Sequence, residues 1–164
     1  MKRALIFIIT YSLLISCNSD KNNSLMEELL GEWKLVSFVN EADGTSIDVS
    51  DPDYYDPVNN SEVLITIKYK EDYVYEGITG RNVFGGNYTL NNSKTVIIFY
   101  CSSPENGHCV TTEVNETDFG NLFFDNLYLN YNHQTENIES SFELSGDIFK
   151  SYYSEHEYMK FERM

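Results

Sequence analysis

The sequence predicts a mainly β (α+β) domain, a curled antiparallel sheet or small barrel-like domain with one short helix, on three observations. Aromatic residues make up 15% of the chain, with 13 Tyr and 10 Phe, and such side chains suit a pleated, half-buried surface. The apolar runs are short and separated by Asn, Asp and Gly, as turns between strands require. One segment departs from alternation: Phe119, Leu122, Phe123 and Leu127 fall at offsets 0, 3, 4 and 8, which is one face of a helix.

Taken in order, the chain opens with Lys2 and Arg3, followed by an apolar segment from Leu5 to Ile15 broken only at residues 10–12. A spanning helix needs about 20 apolar residues, so this segment is too short to cross a bilayer, and it fits the cationic and apolar regions of a secretory signal. Residues 1–16 are therefore read as a signal peptide. The stretch "NSDKNNS" carries no apolar side chain and predicts a flexible tether over 17–28, its seven residues reaching roughly 25 Å when extended. A single domain is assigned to 29–164. Strands are expected at 32–40, 62–70, 73–78, 85–90 and 94–101, with three more near 127–132, across 140–153 and at 157–163. The turn signals "ADGT", "KEDY", "LNNSK" and "SGD" lie between them. The helix is expected within 115–127, capped by Asn115 or Thr117; Gly120 weakens it, since Gly costs about 1 kcal/mol relative to Ala in a helix.

Charge narrows the partners. Without its leader the chain keeps 148 of 164 residues, and the loss of Lys2 and Arg3 leaves nine cations against 26 carboxylates, a formal charge of −17. Such a surface repels phosphate backbones, whose binding rests on Lys and Arg, so nucleic acid is excluded as a partner. It repels anionic headgroups for the same reason.

"LISC" resembles the lipobox of bacterial lipoproteins, with Leu14 at the first position, Ser16 before the cut and Cys17 as acceptor. The resemblance implies cleavage before Cys17, acylation of its thiol and a membrane reached through lipid. The alternatives are an ordinary signal that contains a cysteine, or a buried N-terminal strand. Asn18 stands where an inner-membrane retention signal carries Asp, which implies the outer membrane. Gly31-x-Trp33 in "LLGEWKLVSF" is similar to a hallmark of lipocalin-like and META (HslJ-like) domains, in which the Trp plugs a barrel end. "GITGRNVFGGNYTL" resembles the META signature at Gly80, Asn82, Phe84, Gly86 and Tyr88. The chain departs from that pattern at Val83, where the family usually has a cysteine nearby, and in a longer acidic insertion at 40–61. META-like implies a non-enzymatic envelope protein that works by contact with an unknown protein partner, in envelope maintenance or stress tolerance. Lipocalin-like implies a carrier of a small apolar ligand in a cavity of about 300 to 1,000 Å³, and a filled interior would count against it.

Cys101 and Cys109 bracket "SSPENGH", a turn-rich loop across which they are expected to form a disulfide, worth roughly 2.5 kcal/mol for a loop this short. Two free thiols, or a metal held by Cys101, His108 and Cys109, are the alternatives; the metal lacks a fourth ligand. The insertion "IDVSDPDYYDP" makes Asp51, Asp53, Tyr54, Tyr55 and Asp56 weak binding candidates. Its composition suits calcium, but the order of an EF-hand is missing and Pro52 and Pro57 interrupt it. A solvated acidic loop is the plainer reading, and the paired Tyr could form a partner-facing rim or stack on a sugar. No catalytic residue, metal site or cofactor is expected. His108, His133 and His156 stand near no nucleophile turn, and "SEHEY" places Glu155 and Glu157 on one strand face with His156 on the other. "FGGNY" leads into a strand rather than a helix and so offers no phosphate site. Gly85 and Gly86 are expected to allow a bulge or sharp bend.

Overall fold

The computed structural model of the chain describes residues 20–93, 95–101, 110–111 and 114–164. In chain order its elements are α1 (Asp20–Leu29), β1 (Gly31–Asn40), β2 (Thr45–Asp48), a 3₁₀ turn (Pro52–Tyr54), β3 (Thr66–Tyr69), β4 (Val74–Ile78), β5 (Val83–Leu90), β6 (Val96–Cys101), β7 (Val110–Thr111), α2 (Asp118–Tyr128), β8 (Tyr131–Asn132), β9 (Asn137–Ser145), β10 (Ile148–Tyr152) and β11 (Glu157–Arg163). Every pairing between strands is antiparallel. The order β1, β3, β4, β5, β6, β9, β10, β11 returns to β1, so eight strands close a barrel in the sequence in which the chain makes them. The short β2, β7 and β8 pair with β1, β5 and β9 outside that ring. Closure leaves the ring without an open edge, and the mainly β barrel with one principal helix is the class the composition predicts.

The ring's alternation points Trp33, Leu35, Ile67, Tyr69, Tyr75, Phe84, Tyr88, Phe99, Phe149 and Phe161 into one core. In β1 a bulge between Leu35 and Ser37 shifts the register and buries Ser37 and Phe38 in succession. Each barrel end carries a helix. At one end α1 covers Trp33, with its Leu29 in the core and its Leu25 and Met26 packed against it. At the other, α2 buries Phe119, Phe123, Phe124 and Leu127. Thr117 caps α2 by accepting from the Gly120 N–H at 3.0 Å, one of the two caps the sequence offered.

Several expectations need correction. Residues 20–28, read as flexible tether, are helical as part of α1, because Leu25, Met26 and Leu29 make one apolar face that the Asn-rich start disguises. Of the strand expected near 127–132, Leu127 and Tyr128 end α2, Leu129 and Asn130 turn, and only Tyr131–Asn132 pairs. The stretch 140–153 holds two strands joined at Gly146, whose φ is +60°. Part of the acidic insertion forms β2. Glu155 and His156 lie in the turn before β11 rather than on opposite strand faces, with carboxylate and imidazole 3.9 Å apart. No bulge occurs at Gly85 or Gly86, where the register with β4 runs unbroken from Val74↔Asn87 to Ile78↔Val83; a methyl at Gly86 would instead overlap the Tyr100 carbonyl.

Candidate functional site

Gly31 and Trp33 meet the last strand at the α1 end. Gly31 has φ +116°, a conformation that side chains resist, and a Cβ there would stand only 3.1 Å from the Arg163 guanidinium. Trp33 is fully buried and donates from Nε1 to the Leu29 carbonyl at 2.8 Å. Arg163 stacks 4.2 Å from the Trp33 ring and donates to the carbonyls of Leu30, at 2.8 Å, and Glu28. Those carbonyls belong to the C-terminal turn of α1, where a cation is favoured. The Tyr88 hydroxyl donates to the Lys70 carbonyl at 3.1 Å and lies 3.8 Å from the Met26 sulfur. The helix is thereby fastened to the first, fifth and last strands of the chain.

The interior is a column of aromatic rings. Tyr69 stands edge-on to Tyr88 at 5.1 Å and to Phe149 at 5.9 Å, and Tyr75 edge-on to Phe99 at 4.9 Å. Phe84 reaches the space left by Gly77 and meets Phe123 at 5.3 Å and Phe124 at 5.6 Å, so α2 continues the packing. Burial pushes the phenols of Tyr69, Tyr75 and Tyr88 well above their ordinary range, chiefly because a phenolate there would lose its hydration. The Tyr69 hydroxyl is buried with no hydrogen-bond partner among the described residues.

At the α2 end a polar network ties three loops together. Gly80, at φ +85°, turns the β4–β5 hairpin. Thr79 Oγ donates to Glu116 Oε1, and Asn82 Nδ2 donates to the same oxygen and to the Val114 carbonyl at 2.9 Å. Glu116 Oε2 is buried against the first turn of α2 with no partner among the described residues. Arg81 pairs with Asp56 at 2.6 Å and donates to the Asn115 carbonyl at 3.1 Å. The Arg81 hydrogen bond, helped by the Val58 N–H, holds the Asp56 carboxyl below its usual range.

The acidic candidates are thus separated by role. Asp51 accepts from the Asp53 N–H at 3.1 Å and caps the 3₁₀ turn, while Asp53 itself is exposed. Tyr54 packs on Phe119 at 5.9 Å, Tyr55 is half-buried, and Asp56 serves Arg81. Among the described residues no three His, Cys, Asp or Glu side chains converge to hold a metal ion. His133 lies against Tyr131 at 5.0 Å, in a different turn from His156. Cys17, His108 and Cys109 lie outside the described residues, and Cys101 ends β6 opposite Gly86. No helix of the described residues is long and apolar enough to cross a membrane. Two open clefts of about 420 Å³ lie on the outside, one along Glu32, Lys68, Glu76 and Val83, the other along Asn130, Tyr152, Ser154 and Glu155.

Arg81, Glu116, Tyr69 and Arg163 were missed from sequence. Arg81 sits inside the quoted glycine segment and Arg163 inside the closing strand, but nothing local marks either partner, because the contacts span 25 and 130 or more residues.

No protein-family model matches the chain, and no curated protein does. Among solved structures the fold is shared by a DUF4847 family protein from Bacteroides vulgatus ATCC 8482, with a TM-score of 0.54 and 12% identity over 84% of this chain and 96% of that one. At that identity the likeness is one of fold. Of the two resemblances read from the sequence, a closed ring of sequentially ordered strands fits the lipocalin-like one, and a META domain is not shown.

Proposed function

We propose that this protein is a lipid-anchored, non-enzymatic component of the cell envelope, held through Cys17, most simply at the outer membrane, and acting by contact with another envelope protein. One observation carries the reading: the apolar side chains of the ring are spent on a packed aromatic interior with a helix across each end. What is left for recognition is the outer surface. At the α2 end that surface includes Val58, 78% exposed, Val114, 57% exposed, and Leu129, 66% exposed. The lipobox resemblance supports the anchor, and the formal charge of −17 left without the leader, nine cations against 26 carboxylates, argues against electrostatic attachment to anionic lipid. Envelope maintenance or stress tolerance would follow from the META resemblance alone.

The anchor is tested by Cys17→Ala with the leader intact, which should release folded, soluble protein; a variant that stays membrane-bound would refute it. Contact is tested in intact cells with a photo-crosslinking residue at Val114 or Leu129. One discrete envelope protein should be captured there and not from Asn92 at the other end, whereas the same abundant bystanders at all three positions would count against the proposal.

A second reading, a lipocalin-like carrier of a small apolar ligand, is favoured by the unpartnered Tyr69 hydroxyl inside the barrel. Its reporter is built in, since Trp33 is the only tryptophan and sits in the same core. Titration with long-chain fatty acid should shift Trp33 emission if the barrel opens to a guest, and unchanged emission would remove this reading.

A further inference from the structure

The helical course of residues 20–29 changes what an anchor at Cys17 can do. Cys17 precedes Asp20 by three residues, and a chain spans at most 3.3–3.6 Å per residue, so the two lie within about 11 Å of each other. A tether running to residue 28 would have left the barrel free to tumble over the bilayer. Here α1 is fastened by Trp33 and Arg163 to the C-terminal half of its own backbone and by Met26 to Tyr88. The anchor therefore connects through α1 to the barrel end at which Met26, Glu28, Leu29 and Leu30 are fastened.

Resting on the lipid-anchor reading, we infer that the barrel stands on the membrane with its α1 end facing the lipid and its α2 end facing away. The register identifies the residues at each end. Gly31 pairs with Tyr69, so the start of β1 shares the α1 end with the β3–β4 turn at Glu71 and Asp72, the β5–β6 turn at Asn92 and the β9–β10 turn at Asp147. Ala42, between β1 and β2, and His156, between β10 and β11, lie at the opposite end. Strands of about eight residues at roughly 3.3 Å each, tilted near 40°, put about 20 Å between the two ends. A headgroup layer is about 5 to 8 Å deep. Inverting the barrel would lift α1 beyond the reach of an 11 Å connection, whereas the upright orientation uses that length to clear the headgroups.

The facing surface also selects the lipid. Glu27, Glu28, Glu71 and Asp72 are exposed at this end, while Asp147 is paired with Arg163 at 3.5 Å, Arg163 also covers Trp33, and Lys70 is paired with Glu76. Such a face lies closest to a zwitterionic surface and rides further from an anionic one.

The experiment uses the full-length, acylated lipoprotein reconstituted in phosphatidylcholine vesicles, with a photo-crosslinking residue placed singly at Asp72, Asn92, Ala42 or His156. Lipid adducts at 72 and 92 should exceed those at 42 and 156 by about tenfold, and should fall when a third of the lipid is phosphatidylglycerol at low salt. Vesicle-bound protein with equal yields at all four positions, or with more adduct at 42 and 156, overturns the orientation while leaving the anchor intact. Adducts that rise with phosphatidylglycerol overturn the charge argument. Acylated protein without a crosslinking residue that fails to float with vesicles overturns the anchor reading and the orientation with it.

Discussion

Replacing Tyr69 with Phe should make the barrel more stable, which is the opposite of what most core substitutions do. The ring stays and only the hydroxyl goes, so the edge-on contacts to Tyr88 and Phe149 at 5.1 and 5.9 Å are kept. That hydroxyl is fully buried and has no partner among the described residues. Burying an unsatisfied polar group costs about 1–3 kcal/mol, and its removal recovers that cost. Against this stands the void left by one oxygen, on the order of 10 Å³, which at about 24 cal/mol per Å³ costs only about 0.2 kcal/mol. The net gain is about 1–3 kcal/mol, or a Tm rise of about 3 to 9 °C for a domain of this size.

Urea unfolding followed by Trp33 emission measures it, with an unchanged m-value showing that the two states compared are the same. Loss of stability by about 0.5–1.5 kcal/mol, the ordinary worth of a satisfied hydrogen bond, would refute the reasoning. It would mean that in solution the hydroxyl is bonded to a water or a guest within the barrel. The carrier reading would then gain the occupant it needs, so the sign of one number separates a closed interior from one that holds something.

Three further outcomes are expected. Gly77→Ala should cost about 1–3 kcal/mol by overpacking, since its methyl would overlap the Phe84 ring and the Thr66 carbonyl; an unchanged unfolding midpoint would show that Phe84 is not seated there. Because the folded-state phenols of Tyr69, Tyr75 and Tyr88 lie above their ordinary value near 10, the stability they contribute should be complete below about pH 10 and lost as pH rises beyond it. Urea midpoints flat from pH 9 to 11 would contradict that. Cys101 and Cys109 bracket the turn-rich "SSPENGH", the spacing on which a disulfide is expected, so both thiols should react only after reduction, and reaction of either beforehand would exclude the bridge.

How far the fold could be read from sequence depended on whether its signals were local. The ring strands announce themselves through alternation, and α2 through the spacing of Phe119, Phe123 and Leu127 together with Thr117 as cap. Helix α1 was hidden because its first turn is Asn-rich and its apolar face has meaning only once Leu25, Met26 and Leu29 have a barrel end to cover. The ring's closure was hidden in the same way: β1 pairs with β11 across more than 115 residues, and no periodicity reports a pairing at that distance. The acidic insertion offered a weak binding signal beside the plainer reading of a solvated loop. Its carboxylates crowd together in sequence, yet Asp51 caps the 3₁₀ turn and Asp56 pairs with Arg81.

The residues that made the chain look familiar also explain why familiarity stops at the fold. Gly31 and Trp33 seat α1, Gly80 and Asn82 fasten the loop before α2, and Phe84, Gly86 and Tyr88 fill the ring. Each is fully used in making the barrel, so a resemblance resting on them carries architecture and leaves function open. Function is to be sought among side chains that the barrel does not need, of which Val114 and Leu129 at the α2 end are large, apolar and exposed. Surface substitutions away from such structural features usually change stability by less than about 0.5 kcal/mol. Val114→Glu and Leu129→Glu should therefore leave the unfolding midpoint where it is while abolishing position-specific crosslinking in cells. If stability falls instead, these residues belong to the fold, and the contact surface lies elsewhere on the barrel.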